Sequence, residues 1–218
     1  MNIPKQWTFK DPDVVNNFDA HVREQLPWYD FATQAVAFLA RNYITPKSTI
    51  YDIGASTGNI GNAIRDTIQQ NAAHLIAIEE SQEMADAYKG PGTLQTKKAE
   101  HAQYQDHALA IAFLTFQFIP TPKRARLLER ITEAQQEGGA LILVDKFQPT
   151  SLDHDANNAT YRLTLDAKLK AGAKPENIIN KELSLIGSQK PLNSKLLEPY
   201  NATQFFAYGQ FQGYIVTL

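Results

Sequence analysis

The sequence predicts an α/β fold: a mostly parallel sheet of seven strands, an antiparallel strand at its C-terminal end, and helices on both faces. Three observations predict it. Residues 49–61 read as a strand, a small-residue turn and the opening of a helix. From there to residue 144, short apolar runs alternate with stretches of helical periodicity, the pattern of a parallel sheet covered on both sides. The tail then holds two strand-like runs around a Gly-containing turn, which suits a hairpin.

Bulk properties narrow the class. A chain of 218 residues suits one well-buried domain, 1–218, with N-terminal helices over 1–46 and a cap over 148–200. The formal charge of −2 argues against a general nucleic-acid coating protein. There is no cysteine, which excludes disulfides and thiolate chemistry and fits a reducing compartment. Residues 1–7 lack the basic-then-apolar pattern of a signal peptide, and the longest apolar run, 108–119, is too short to span a bilayer. The expectation is a cytoplasmic protein with no membrane partner.

The elements follow in order. Residues 14–26 carry Phe18 and Val22 at helical spacing, and Pro27 stops them. Residues 28–43 form a second helix with Phe31, Ala35, Phe38 and Leu39 on one face, ended by Thr45-Pro46. Strands are expected at 49–53, 74–78, 94–97, 108–114 and 140–144. Helices are expected at 60–70, at 82–88 behind a Ser81 N-cap, and at 122–136 with proline in the first turn. The last of these turns Leu127, Leu128 and Ile131 inward, and Gly138-Gly139 then reads as a turn. Residues 152–171 read as a helix with Ala156, Ala159 and Leu163 in one stripe, while 175–195 carry no clear pattern. The closing strands are 203–206 and 213–218.

The turn after the first strand points to a nucleoside-bearing cofactor. Gly54 and Gly58 enclose Ala55, Ser56 and Thr57, and small residues let backbone N–H groups approach a ligand. The helix from Ile60 aims its positive end at the same place. Asp52 can accept from an ammonium group or a water. Glu79 ends the second strand, where a carboxylate reaches ribose hydroxyls and repels a 2′-phosphate. The spacing is not that of a P-loop, and Ser56 stands where a dinucleotide fingerprint has its middle glycine. That disfavours NAD and favours a cofactor without a pyrophosphate.

These residues carry a family resemblance. Tyr51-Asp-Ile-Gly-Ala-Ser-Thr-Gly58 resembles the first motif of class I S-adenosylmethionine-dependent methyltransferases, and Ile76-Ala-Ile-Glu-Glu-Ser81 resembles their second. Phe18-Asp19, Pro27-Trp-Tyr29, Leu114-Thr-Phe-Gln-Phe-Ile119 and Gly138-Gly-Ala-Leu-Ile-Leu-Val-Asp-Lys-Phe147 are similar to the carboxy-S-adenosylmethionine synthases, which serve wobble-uridine modification of bacterial tRNA. The resemblance implies a Rossmann-like methyltransferase fold and S-adenosylmethionine, or S-adenosylhomocysteine, as cofactor. It implies that Asp52, Gly54 and Ser56, with Ala55 and Gly58 in the same turn, hold the methionine part. Glu79 would take the ribose, Glu80 and Ser81 the adenine side, Glu100 the adenine amino group and Tyr29 the sulfonium neighbourhood, with Thr115 also in the cofactor-binding set. It also implies a homodimer. Two positions depart from the family: Phe113 stands where it has Asn, and no arginine follows Arg162 to hold the extra carboxylate, leaving Lys195 as a stand-in without a bidentate fork.

The chemistry asks little of side chains, because a sulfonium methyl is already activated and the protein mainly aligns the acceptor and excludes water. No catalytic base is identifiable; His21, His101, His107 and His154 are candidates by type only. No histidine–carboxylate spacing suits a metal, so none is expected. Tyr161, Lys195 and Tyr200 are the candidate substrate residues. Lys123, Arg124, Arg126 and Arg130 read as a solvated helix face. Residues 162–195 hold seven Lys/Arg and three Asp/Glu, a local +4 over a body of −6. A basic cap suits an anionic acceptor, a small metabolite or RNA, as well as ordinary surface lysines. The leading function is an S-adenosylmethionine-dependent methyltransferase with an unidentified anionic or RNA-linked acceptor. The alternatives are a carboxy-S-adenosylmethionine synthase using prephenate and a non-catalytic cofactor-binding module.

Overall fold

Seven strands pair edge to edge in the computed structural model, which describes residues 8–149 and 154–218. In chain order they are β1 (Thr49–Ile53), β2 (His74–Glu79), β3 (Thr93–Thr96), β4 (His107–Phe113), β5 (Gln135–Lys146), β6 (Asn201–Tyr208) and β7 (Phe211–Thr217). The sheet order is β3-β2-β1-β4-β5-β7-β6. β1 to β5 run parallel, and β7 lies antiparallel between β5 and β6. The order reverses between β1 and β4, which opens a crevice at the C-terminal ends of those two strands.

The strands alternate strictly, so each sheet face has its own core. Ile50, Leu109, Ile111 and Ile142 face one layer with Trp28, Val36, Ile60 and Ile64. Tyr51, Ile53, Ala110 and Leu143 face the other with Phe116, Leu127, Leu128 and Ile131. The first layer is built by α2 (Phe18–Gln25), α3 (Tyr29–Ala40), α4 (Asn59–Ala63) and α5 (Arg65–Gln70), while α1 (Pro12–Asn16) puts Val14 in a small separate cluster with Leu185 and Phe118. α6 (Gln82–Asp86) follows β2, with the expected Ser81 cap accepting from the Met84 N–H. α7 (Thr121–Glu133) sits on the second layer. α8 (His154–Lys170) and α9 (Pro175–Ser184) lie between β5 and β6 in the chain. The expected start of the late helix at Leu152 falls outside the described residues.

Five expectations change. The first long helix breaks at Asn17, and the helix after the glycine turn breaks at Ile64. Gly138-Gly139 does not end a loop: β5 runs through it, and the register against β4 jumps between His107↔Gln135 and Leu109↔Ala140. On α3 the buried face is Ala32, Val36, Ala37 and Ala40, while Phe31 and Phe38 stand outside. On α8 the Ala156–Ala159–Leu163 stripe is also exposed. The side of α8 turned inward is polar, with Tyr161, Thr164 and Lys168 at helical spacing beside a cavity. Apolar periodicity locates a core face only where the helix packs on a core.

Candidate functional site

A cavity of about 680 Å³ opens at the C-terminal ends of β1, β2, β4 and β5, walled by α2, α8 and α9. Its floor is the turn after β1. Gly54 has φ +76°, and a Cβ there would stand 2.4 Å from Thr115 Oγ1. Thr115 is held in turn, its hydroxyl donating to Ile53 O at 2.7 Å. Two non-glycine residues beside the cavity, Ser56 (φ 50°) and Leu114 (φ 59°), also adopt the left-handed conformation. Such geometry costs about 1–3 kcal/mol and concentrates at functional sites.

The turn does not form an anion nest. Gly54 N–H and Ala55 N–H both donate to Ile78 O, at 2.8 and 2.9 Å. Ser56 N–H donates to Glu79 Oε2 at 2.8 Å, and the Ser56 hydroxyl leans on the Met84 thioether. Three amides that a dinucleotide turn would aim at a pyrophosphate are committed to the end of β2. Glu79 is buried, and its other oxygen accepts from Ser81 N–H at 2.9 Å. Burial pushes its carboxyl up, opposed by those backbone donors. A carboxylate has about four acceptor positions, and with Glu80 N–H as a third backbone donor about one remains for a ligand.

No protein-family model matches the chain. It is 28% identical over 225 residues to a carboxy-S-adenosyl-L-methionine synthase of Staphylococcus epidermidis, across 97% of each chain. Among solved structures it superposes on a plantazolicin methyltransferase in complex with SAH with a TM-score of 0.61 and 14% identity, covering 96% of this chain and 91% of that one. It superposes on human N-acetylserotonin methyltransferase in complex with SAM with a TM-score of 0.59 and 10% identity, covering 96% of this chain and 57% of that one. The chain has the class I S-adenosylmethionine-dependent methyltransferase fold.

Within this methyltransferase fold, most of the expected residues meet at one cavity. Tyr29, Gly54, Ala55, Ser56, Glu79, Glu80, Ser81, Glu100, Thr115 and Tyr161 all line it. Tyr29 is buried edge-on to Phe113, with ring centroids 5.3 Å apart, and its hydroxyl bonds to Asn59. Phe113 itself also lines the cavity, with its ring centroid 6.4 Å from that of Trp28. Asp19 accepts from Thr57 Oγ1 (2.8 Å) and Asn59 Nδ2 (2.7 Å), tying α2 to the glycine turn. Glu80 is exposed and pairs with Lys98 at 3.1 Å. Ser81 Oγ lies 2.8 Å from Phe9 O. Burial alone would raise the Glu100 carboxyl, but its own backbone N–H and Lys123, 3.2 Å away, hold it below the usual range.

Four expected residues sit elsewhere. Asp52 is fully buried behind the turn, outside the cavity lining, where it accepts from Gly61 N–H. Gly58 (φ +94°) is also outside the lining; a Cβ there would meet Gly90 N at 2.4 Å, so it serves a backbone approach. Lys195 lies exposed on the turn Ser194–Leu197, and Tyr200 packs against the second core. Arg124 is not on a solvated face. It is buried, donating to Ile119 O, Gln117 O, Lys190 O and Pro191 O, and so binds the 189–191 segment to the cavity wall. Arg130 likewise turns to the backbone oxygens of Glu100 and Ala102.

The residues that the sequence reading missed are cationic or amide-bearing. Lys146, at the end of β5, joins Lys168, Lys181 and Lys190 in the lining, with Glu182, Gln25 and Gln117. The +4 balance of residues 162–195 signalled Lys168, Lys181 and Lys190, while Gln117 and Lys146 stand in the family-like segments 114–119 and 138–147 without a role assigned to them. Of the four histidines considered, His21 alone lines the cavity, and burial, helped by Lys181, lowers it to about 4. Among the described residues no group of three or more His, Asp or Glu is placed to hold a metal ion. Among them, too, no helix is long and apolar enough to cross a membrane.

Asp52 makes a test of its own. Burial, with a smaller push from Glu79, raises its carboxyl to about 7. The unfolded group ionises near 4. Between those values the folded state holds the extra proton, so stability falls as pH rises, and above about 7 the loss is complete. Asp52→Asn should remove that loss while keeping an acceptor for Gly61. Melting at pH 5 and pH 8 should show the variant gaining roughly 5 °C over the parent at the higher pH. Equal pH slopes for the two proteins would show that Asp52 titrates as an ordinary carboxyl.

Proposed function

We propose that the chain is an S-adenosylmethionine-dependent methyltransferase that binds its cofactor across the Gly54–Ser56 turn. The observation that carries this reading is the meeting of that turn, buried Glu79, Tyr29 and Thr115 at one cavity. The turn suits the group: Gly54 lets it lie close against Thr115, and its committed amides leave no pyrophosphate nest. When bound, the cofactor supplies an electrophilic methyl group on a neutral leaving thioether. The acceptor position left on Glu79 would face the ribose hydroxyls. Ser81 and Glu100 border the adenine side, and Tyr29 with Leu114 screens the reacting end from water. Asp52 acts as a positioning residue beneath the turn, and Gly58 as a packing one.

The full-length match to a carboxy-S-adenosyl-L-methionine synthase favours a second reading, in which a carboxylated cofactor is made from prephenate. The exposed Lys195 does not serve it, whereas Lys146 at the cavity does. Thermal melts with S-adenosylmethionine, S-adenosylhomocysteine and NAD test the shared part. The two adenosyl ligands should stabilise the protein by about 2–3 kcal/mol at a hundredfold excess over Kd, and NAD should not. Stabilisation by NAD alone would overturn both readings. Incubation with S-adenosylmethionine and prephenate, followed by mass analysis, separates them: a carboxylate gained by the cofactor selects the second reading.

A further inference from the structure

Residues 8–11 cross the cavity from one wall to another. Thr8, Phe9 and Lys10 line it. The Phe9 carbonyl oxygen lies 2.8 Å from Ser81 Oγ, just past β2. The Phe9 ring meets that of Phe118, just past β4, edge-on with centroids 5.2 Å apart, and that of Phe18 on α2 at 6.1 Å. β1 lies between β2 and β4 in the sheet. A segment that reaches past the ends of both neighbours therefore passes above the end of β1, where the Gly54–Ser56 turn forms the cavity floor. Its C-terminal end is anchored. The Asp11 carboxylate accepts from Val14 N–H at 3.4 Å, and Val14 is fully buried in its cluster with Leu185 and Phe118.

We propose that residues 8–11 form a strap that closes over the cofactor, with Phe9 as an aromatic contact to its adenosyl part and Ser81 as the latch. This rests on the cofactor reading above and adds a binding residue to it. The latch is built to release. A hydroxyl has one proton to donate, and Glu83 Oε2 lies 2.9 Å from the same Ser81 Oγ. When the strap lifts, that proton turns to Glu83, so no buried donor is stranded. The Ser81 oxygen keeps its cap on the Met84 N–H in either state. Phe9 is only half-buried, so lifting it costs little apolar burial. A purine face laid against its ring favours the closed strap, because aromatic pairs gain beyond their buried area. A ligand that touches Phe9 only in the closed form shifts the strap toward that form. Its departure then waits for the latch to open.

Stopped-flow binding of S-adenosylhomocysteine to the full chain tests this. Phe9→Ala should weaken binding about tenfold, chiefly through faster dissociation. Phe9→Tyr should return to the parent's rate. Phe31→Ala removes a 68% exposed ring from α3, outside the cavity lining, and should leave both rates alone. Hydrogen exchange on the parent gives a readout that needs no variant: the amides of residues 9–15 should exchange several-fold more slowly once the ligand is bound. A dissociation rate in Phe9→Ala within about twofold of the parent's, or no slowing at residues 9–15, would overturn the strap. Should Phe9→Ala unfold before it can be measured, exchange on the parent decides. A parent that binds no S-adenosylhomocysteine removes the cofactor reading and the strap with it. A parent that binds it while Phe9→Ala matches its rates removes the strap alone.

Discussion

Gly54→Ala is expected to weaken S-adenosylhomocysteine binding at least about a hundredfold and to lower the melting temperature by roughly 5–10 °C. Two costs combine. A left-handed φ of +76° charges any side chain about 1–2 kcal/mol. The new methyl would stand 2.4 Å from Thr115 Oγ1 and 2.7 Å from its Cγ2. Thr115 cannot swing away freely, because its hydroxyl holds Ile53 O at 2.7 Å. Either the turn or the end of β4 must move, and both are cavity walls. Overpacking of this kind adds about 1–3 kcal/mol. Gly138→Ala is the control. It has the same handedness, φ +73°, but nothing within 4 Å of its added carbon. It should lose only the backbone cost and bind S-adenosylhomocysteine as the parent does. Titration calorimetry and melts on the two variants decide the matter. If Gly54→Ala binds within threefold of the parent, the turn is not the cofactor floor.

Glu79→Gln is expected to weaken the same ligand by about thirtyfold or more, through a different cause. Both carboxylate oxygens accept backbone N–H groups, Ser56 on one and Ser81 on the other. An amide keeps one acceptor and sets an NH₂ against the other backbone donor. A buried donor left unmatched costs about 1–3 kcal/mol. The Ser56 loop then loses its tether to β2, and the ribose loses a charged acceptor. A thermodynamic cycle separates these losses. The parent should discriminate strongly between S-adenosylhomocysteine and its 2′,3′-dideoxy analogue, and Glu79→Gln should bind the two nearly alike. If the variant keeps the parent's preference for the hydroxyls, Glu79 serves only the loop.

The central strands were legible because their apolar runs are short, unbroken and separated by turn residues. Tyr51 to Gly58 and the carboxylate of Glu79 were legible because a tight strand-to-helix turn and a neighbouring strand end are local features. The faces of α3 and α8 were not. Phe31 and Phe38 look like core residues by period, yet close packing on the sheet selects the small Ala32, Ala37 and Ala40 beside Val36. Lys168 looks like a surface residue by type, yet α8 turns it toward a cavity. Asp52 was expected at the ligand because it precedes the glycine turn. Strand alternation instead buries it beneath α4, where Gly61 N–H meets it.

Residue order alone was enough for the αβ alternation, the closing hairpin and the pairing of a glycine turn with a downstream carboxylate, because each depends on periodicity or on neighbours a few residues apart. The composition of the cavity wall came only with the folded chain. Gln25, Lys146, Lys168 and Lys181 come from α2, β5, α8 and α9, and no local pattern marks residues that are brought together by packing rather than by spacing.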